Sequence, residues 1–232
     1  MNLESGKLLH IGINYIVAPV SEINEQKEHE FQGQLMKARL GIRDKRFEGN
    51  RILAVRQQPT PLQIQVEVVG PQIAQILIIA PNPNRAFEIF LEEAEAVIGA
   101  FKNTWIRQSA TIIGSDATIR YLYDSDRDHA FAELWEDKLG MTGDALAVFG
   151  HPVLGGGLRF VIPQPDTEED PKKVEVKIES FLRDPKQIFV EVQFFWENPI
   201  EASNVSDFHV TERLKNLESF IENRVHKFME RS

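Results

Sequence analysis

Leu62-Gln63-Ile64-Gln65-Val66-Glu67-Val68 alternates apolar and polar residues without a break. In an extended chain successive side chains point to opposite faces, so Leu62, Ile64, Val66 and Val68 share one face and Gln63, Gln65 and Glu67 the other. One dry face and one wet face is the mark of an antiparallel sheet, because a parallel sheet is buried on both sides. Three further stretches repeat the pattern. Ile11, Ile13, Tyr15 and Val17 alternate with His10, Gly12 and Asn14. Val174, Val176 and Ile178 alternate with Lys173, Glu175, Lys177 and Glu179. Ile188, Val190, Val192 and Phe194 alternate with Glu191, Gln193 and Phe195. Pro- and Gly-containing links, such as Gln58-Pro59-Thr60-Pro61 and Gly70-Pro71, fit tight turns between strands.

Elsewhere the period changes to 3.6. Residues 84–104 set Phe87, Phe90, Leu91, Ala94, Val97, Ile98 and Phe101 on one stripe, with Asn84 as N-cap. Residues 207–230 do the same with Val210, Leu214, Leu217, Ile221, Val225 and Phe228, capped by Ser206 or Asp207. Shorter helices are predicted over 127–139, capped by Ser125 or Asp126, and over 25–39. The fold class is therefore α+β. In order, the first half reads strand 8–17, helix 25–39, strands 51–58, 61–69 and 73–80, helix 84–104. The second reads strand 109–123, helix 127–139, strands 156–163, 172–182 and 187–196, helix 207–230.

Each half is a β-α-β-β-β-α unit, 1–107 and 108–232. Faint echoes accompany the shared order, among them Glu28-His29-Glu30-Phe31 with Asp128-His129-Ala130-Phe131, and Leu40-Gly41 with Leu139-Gly140. An internal duplication with one continuous sheet is the expectation. This element order resembles the saddle of the TATA-box-binding protein, which implies a long curved sheet backed on one face by four helices. The resemblance is one of plan alone: no motif of that protein is present, and a wet face rich in Gln and Glu does not suit phosphates. Fold does not carry function with it.

The formal charge is −9 over 232 residues, with 26 basic and 35 acidic side chains. Residues 1–107 balance twelve basic against twelve acidic, so the whole surplus lies in the second half. Within the first half, Lys37 to Arg56 carries seven cations against Asp44 and Glu48. Such asymmetry concerns surfaces and partners rather than fold. Non-specific nucleic-acid binding requires Lys and Arg to neutralise phosphates, so the overall balance speaks against it. Cys is absent, which removes disulfides, thiolate metal sites and cysteine nucleophiles. The longest apolar run, Ile76 to Ala80, is far short of a membrane span. Residues 1–7 lack the basic and apolar regions of a signal peptide, and the expected location is cytoplasmic.

No P-loop, nucleophile elbow or cofactor fingerprint occurs, and no cofactor or metal is expected. Asp124, Asp126 and Asp128 begin like a calcium loop, but positions 6 and 12 are His129 and Trp135 instead of Gly and Glu, so the acids read as a helix-start cluster. His29 and His129, on the first turns of matching helices, read as capping or surface residues. Gly155-Gly156-Gly157 follows His151. Consecutive glycines allow close backbone approach, so His151 as acid or base and Arg159 as anion anchor are the candidates for a ligand or enzyme site. Arg43, Lys45, Arg46 and Arg51 are the candidates for contact with an anion or acidic partner. Acidic clusters exist in the same chain, one along 124–137 and one at Asp166, Glu168, Glu169 and Asp170. Phe181, Phe189 and Phe195 are the candidates for an apolar strip on the outer sheet face, and such strips mark interfaces. The leading expectation is a non-catalytic interaction protein, homodimeric through its outer sheet face. The alternatives are a small-molecule enzyme or receptor at the His151–Gly157 loop, and a nucleic-acid contact through 37–56.

Overall fold

A computed structural model describes residues 1–83, 87–163 and 170–230. In chain order the elements are β1 (Asn2–Ala18), α1 (Glu25–Lys37), β2 (Asp44–Glu48), β3 (Arg51–Arg56), β4 (Leu62–Gly70), β5 (Ile73–Pro81), α2 (Phe87–Trp105) and β6 (Ala110–Asp124). There follow α3 (Ala130–Ala132), β7 (Gly157–Ile162), β8 (Lys173–Ser180), β9 (Gln187–Trp196), β10 (Ile200–Ala202), α4 (Val210–Phe220) and α5 (His226–Glu230). The fold is α+β, as the alternation requires. The ten strands among the described residues form one antiparallel sheet, in the order β2-β3-β4-β5-β1-β6-β9-β8-β7, with β10 also on β6.

The central pair joins the halves, with Ile11 opposite Ile119, Ile13 opposite Ala117 and Tyr15 opposite Ser115. From it the strands run outward as β5, β4, β3 on one side and β9, β8, β7 on the other. The alternating apolar residues all point to one face. Ile64, Ile78, Ile13, Ala117 and Phe194 lie buried there under the helices, in one continuous core. Among the described residues no helix covers the other face. Among the described residues no helix is long and apolar enough to cross a membrane.

Local boundaries depart from the sequence pattern where backbone hydrogen bonds decide them. Helix α1 stops at Lys37 because Arg39 adopts φ +56° and the N–H groups of Arg39 and Leu40 return to Met36 O (3.0 Å) and Leu35 O (3.4 Å). Its N-cap is Asn24, whose side chain accepts from Lys27 N. The 127–139 segment starts later than its pattern predicts. Ser125 and Ala130 donate to Lys186 O and Pro185 O, which ties this stretch to the β8–β9 turn, and residues 126–128 bend instead of starting the helix. The cap is therefore His129, accepting from Phe131 N, and not Ser125 or Asp126; Ser125 donates instead to Glu133. After α3 the chain continues as a π-helical turn over Glu133–Lys138.

The 207–230 helix likewise starts at Val210, after a 3₁₀ turn over Val205–Phe208 with a capping box between Asn204 and Asp207. A π-helical turn over Ile221–Val225 separates α4 from α5. Strand β2 was hidden because Asp44-Lys45-Arg46-Phe47-Glu48 carries one apolar residue and no alternation. The proposed cap Asn84 and the acids Asp166, Glu168 and Glu169 lie outside the described residues.

Candidate functional site

The structure separates His151 from Arg159. His151 lines an open groove of about 520 Å³ together with His129, Phe131, Trp135 and Pro152. Arg159 lies on β7 opposite Lys177, on the helix-free face, and pairs with Glu175 at 2.6 Å. The glycines between them are spent on packing. A Cβ on Gly157 would stand 2.2 Å from Ile178 O and 2.6 Å from Glu179 Cα, so only glycine lets β7 approach β8 there. The Gly156 N–H donates to Ser180 Oγ at 3.0 Å and is not open to an anion. Among the described residues no group of three His, Asp or Glu side chains is placed to hold a metal.

The three phenylalanines do not form one strip. Phe189 and Phe195 are half-buried on the helix-free face of β9, with Glu191 and Gln193 between them on that face. Phe181 lies beyond the end of β8, in the turn where its N–H bonds Gln187 O. Lys173 Nζ sits 4.4 Å above the Phe195 ring, which covers part of that ring with charge.

The four cations of the basic segment also part company. Consecutive strand residues point to opposite faces. Arg46 lies opposite Leu53, and Arg51 opposite Glu67 with Glu48 beside it, so both sit on the helix-free face. Lys45 lies opposite Ala54 and points to the helix side, where it reaches Glu28 of α1 at 2.9 Å and also Gln32. Arg43 precedes β2 and lies on the same side as Lys45, at the edge of a cavity between α1 and the β2–β3 hairpin.

The helix-free face has two chemistries. Across β6, β9, β8 and β7 it is ionic. Glu191 accepts from Arg120 Nε at 2.6 Å and from Lys177, and Glu175 faces Arg159 and Lys173. Burial by itself would raise the Glu191 carboxyl, but the hydrogen bonds from Lys177 and Arg120 outweigh it and hold it below the ordinary range. His10, opposite Arg120 in the register, is pushed down to about 4 by burial and by the Arg120 charge, against a smaller pull from Glu191.

Across the middle of β3, β4, β5 and β1 the same face carries aliphatic side chains and amides, with the charges of Asp44, Arg46, Glu48, Arg51 and Glu67 along its β2 edge and one end. Leu53, Val55, Leu77, Ile79 and Ile16 are half-buried among Gln63, Gln65, Gln75 and Asn14. The amides are ordered: Gln75 donates to Asn14 (2.9 Å), which donates to Asp116 (2.7 Å). Burial raises the Asp116 carboxyl and the Asn14 hydrogen bond partly offsets this. Asn14 and Thr118 are each only 7% exposed although no helix covers them, so the centre of the face is sunk between its neighbours.

The sequence displays the alternation that makes this face. It does not display which strands lie side by side, and the grouping of Leu53 with Leu77, or of Gln75 with Asn14 and Asp116, exists only after pairing. The chain matches no protein-family model and no curated protein.

Proposed function

We propose that the protein is a non-catalytic binding protein that pairs with a second copy of itself through the helix-free face of its sheet. The observation that carries this reading is the half-buried aliphatic set Leu53, Val55, Leu77 and Ile79, interleaved with the amides Gln63 and Gln65 and bordered at the β2 edge by Asp44 and Arg46, on a face that no helix among the described residues covers. Its neighbours to the other side are ion pairs satisfied within the chain, so the face offers little field of a single sign to attract nucleic acid or a highly charged partner. Amides donate and accept equally, and aliphatic side chains match themselves, which suits a two-fold interface in which one patch meets its own copy. Four strands about 4.8 Å apart and some 20 Å long give this part of the face roughly 400 Å², and the whole nine-strand face roughly 800 Å², so an interface of standard size uses the ionic half as well. Phe189 and Phe195 extend the patch at its ionic end. The cytoplasmic location and the descent of the two halves from one duplicated unit belong to the same proposal.

Sedimentation velocity tests it. Wild-type protein at tens of micromolar should sediment at twice 26.5 kDa, and Leu77→Glu, which places a charge on a half-exposed position of the patch, should return it to one chain mass with an unchanged circular dichroism spectrum. A wild-type monomer, or a folded Leu77→Glu variant that stays dimeric, overturns the reading.

A second reading rests on the groove at His151. Its walls bring two imidazoles, His151 and His129, beside the stacked rings of Phe131 and Trp135, a surface that suits a flat ligand. Binding of such a ligand would quench Trp135 fluorescence, and His151→Ala would abolish the quenching.

A further inference from the structure

The cavity between α1 and the β2–β3 hairpin is on the helix side of the sheet, apart from the open face and from the His151 groove. Its volume is about 380 Å³, within the range of small-molecule sites. The floor is apolar: Phe31 and Leu35 from α1 meet Ile52 and Ala54 from β3, all four buried. At the rim Met36 is 70% exposed, an unbranched side chain free to fold over an occupant.

The rim charges are unbalanced. Glu28, buried on α1, is already paired with Lys45 at 2.9 Å. Arg39 and Arg43 also line the cavity, and among the described residues neither guanidinium has a hydrogen bond or an ion pair. Arg39 stands at the position after the helix end that favours glycine, with φ +56°. The left-handed conformation costs a long side chain more than it costs glycine, and here it brings a free guanidinium to the cavity mouth.

We propose that this cavity binds a small amphipathic anion. Its aromatic or branched hydrocarbon body would lie on Phe31, Leu35, Ile52 and Ala54. Its carboxylate, sulfonate or phosphate would be held at the rim by Arg39 and Arg43, whose forked donors match a planar or tetrahedral oxyanion. The site needs both parts, since the guanidinium groups are solvated without the body and the floor offers no orientation without the charge.

The test uses two fluorescent probes of the same shape, 8-anilinonaphthalene-1-sulfonate and the neutral N-phenyl-1-naphthylamine, titrated into the full-length protein. The sulfonate should bind wild-type protein and be displaced by naphthalene-2-carboxylate. Arg39→Gly combined with Arg43→Ala should weaken the sulfonate tenfold or more and leave the neutral probe within twofold. Met36→Glu, a change at an exposed rim position, should weaken the sulfonate more than the neutral probe, since both lose the Met36 contact and only the anion is repelled. Ala54→Leu should fill the floor and weaken both probes, while Leu77→Glu on the opposite face should change neither. Failure of the sulfonate to bind wild-type protein overturns the proposal. So does equal binding to the double arginine variant, or loss of binding in Leu77→Glu with retention in Met36→Glu.

Discussion

His10 shows how one residue on the open face responds to the sheet around it. Burial and the facing Arg120 push its pKa to about 4 from an ordinary 6.5, so the imidazole is neutral in the folded protein at pH 7. The unfolded chain takes up that proton first as pH falls. The folded state therefore loses stability between pH 6.5 and 4 and is unaffected above this window. His10→Gln should melt with wild type at pH 8 and above it at pH 4.5, with a difference on the order of 1–2 kcal/mol. Thermal unfolding at the two pH values checks this, and equal melting at pH 4.5 would show that His10 is not held in its neutral form. Arg213 makes the opposite point. It is buried under α4, donates to Ser115 and lies with its guanidinium carbon 4.4 Å from the Trp196 ring centre. Burial lowers its pKa, partly countered by Tyr15 and Asp170. Nothing in Glu212-Arg213-Leu214 announces a core cation, because the partners come from β1, β6 and β9.

At the scale of elements, helix α1 depends on its ends as much as on its stripe. Asn24 accepts from Lys27 N at 3.0 Å, and the first turn carries Glu25 and Glu28 where the helix dipole favours them. Asn24→Ala should cost about 1 kcal/mol, a fall of about 2–4 °C in melting temperature for a domain of this size. At the other end Arg39→Gly should raise the melting temperature by removing the left-handed strain, even as it weakens anion binding. A variant that gains no stability would mean that the Arg39 side chain contributes packing that outweighs its backbone. The strands and two long helices were legible in the sequence because burial on one face imposes a period on side chains. The caps and β2 were not. Asn204, His129 and Asn24 compete with other polar residues nearby, and backbone hydrogen bonds to distant turns decide between them. Strand β2 is an edge strand whose charged residues carry no period, so only its pairing with β3 reveals it.

At the scale of the whole molecule, the β1–β6 pair makes one sheet out of both halves. Separating residues 1–107 from the rest would expose the β6-facing edge of β1 and strip Tyr15 of its partner Phe208. The halves should therefore unfold together. Variants that keep a single tryptophan, either Trp105 in the first half or Trp196 in the second, should report the same urea midpoint, which is the signature of one cooperative unit. Two separated midpoints would show that the halves fold independently. The charge split also takes on a different meaning here. The basic segment is not one patch, since Arg46 and Arg51 face away from Lys45 and Arg43. A positive mouth on the α1 cavity and an ionic ladder on the open face replace it.

The sequence by itself determined the fold class, the buried face of the alternating strands and the approximate span of the main helices. These follow from the periods of 2 and 3.6, which burial writes into neighbouring residues of one segment. Only the tertiary structure decided which surfaces the chain presents. Strand order placed Leu53 and Leu77 on either side of Gln65 and drew Gln75, Asn14 and Asp116 into one chain of hydrogen bonds. Packing of α1 on the hairpin turned Arg39 and Arg43 to a single cavity and sent Arg159 away from His151. Each grouping joins residues far apart in the chain or on opposite faces of one strand, and no local pattern records such a meeting.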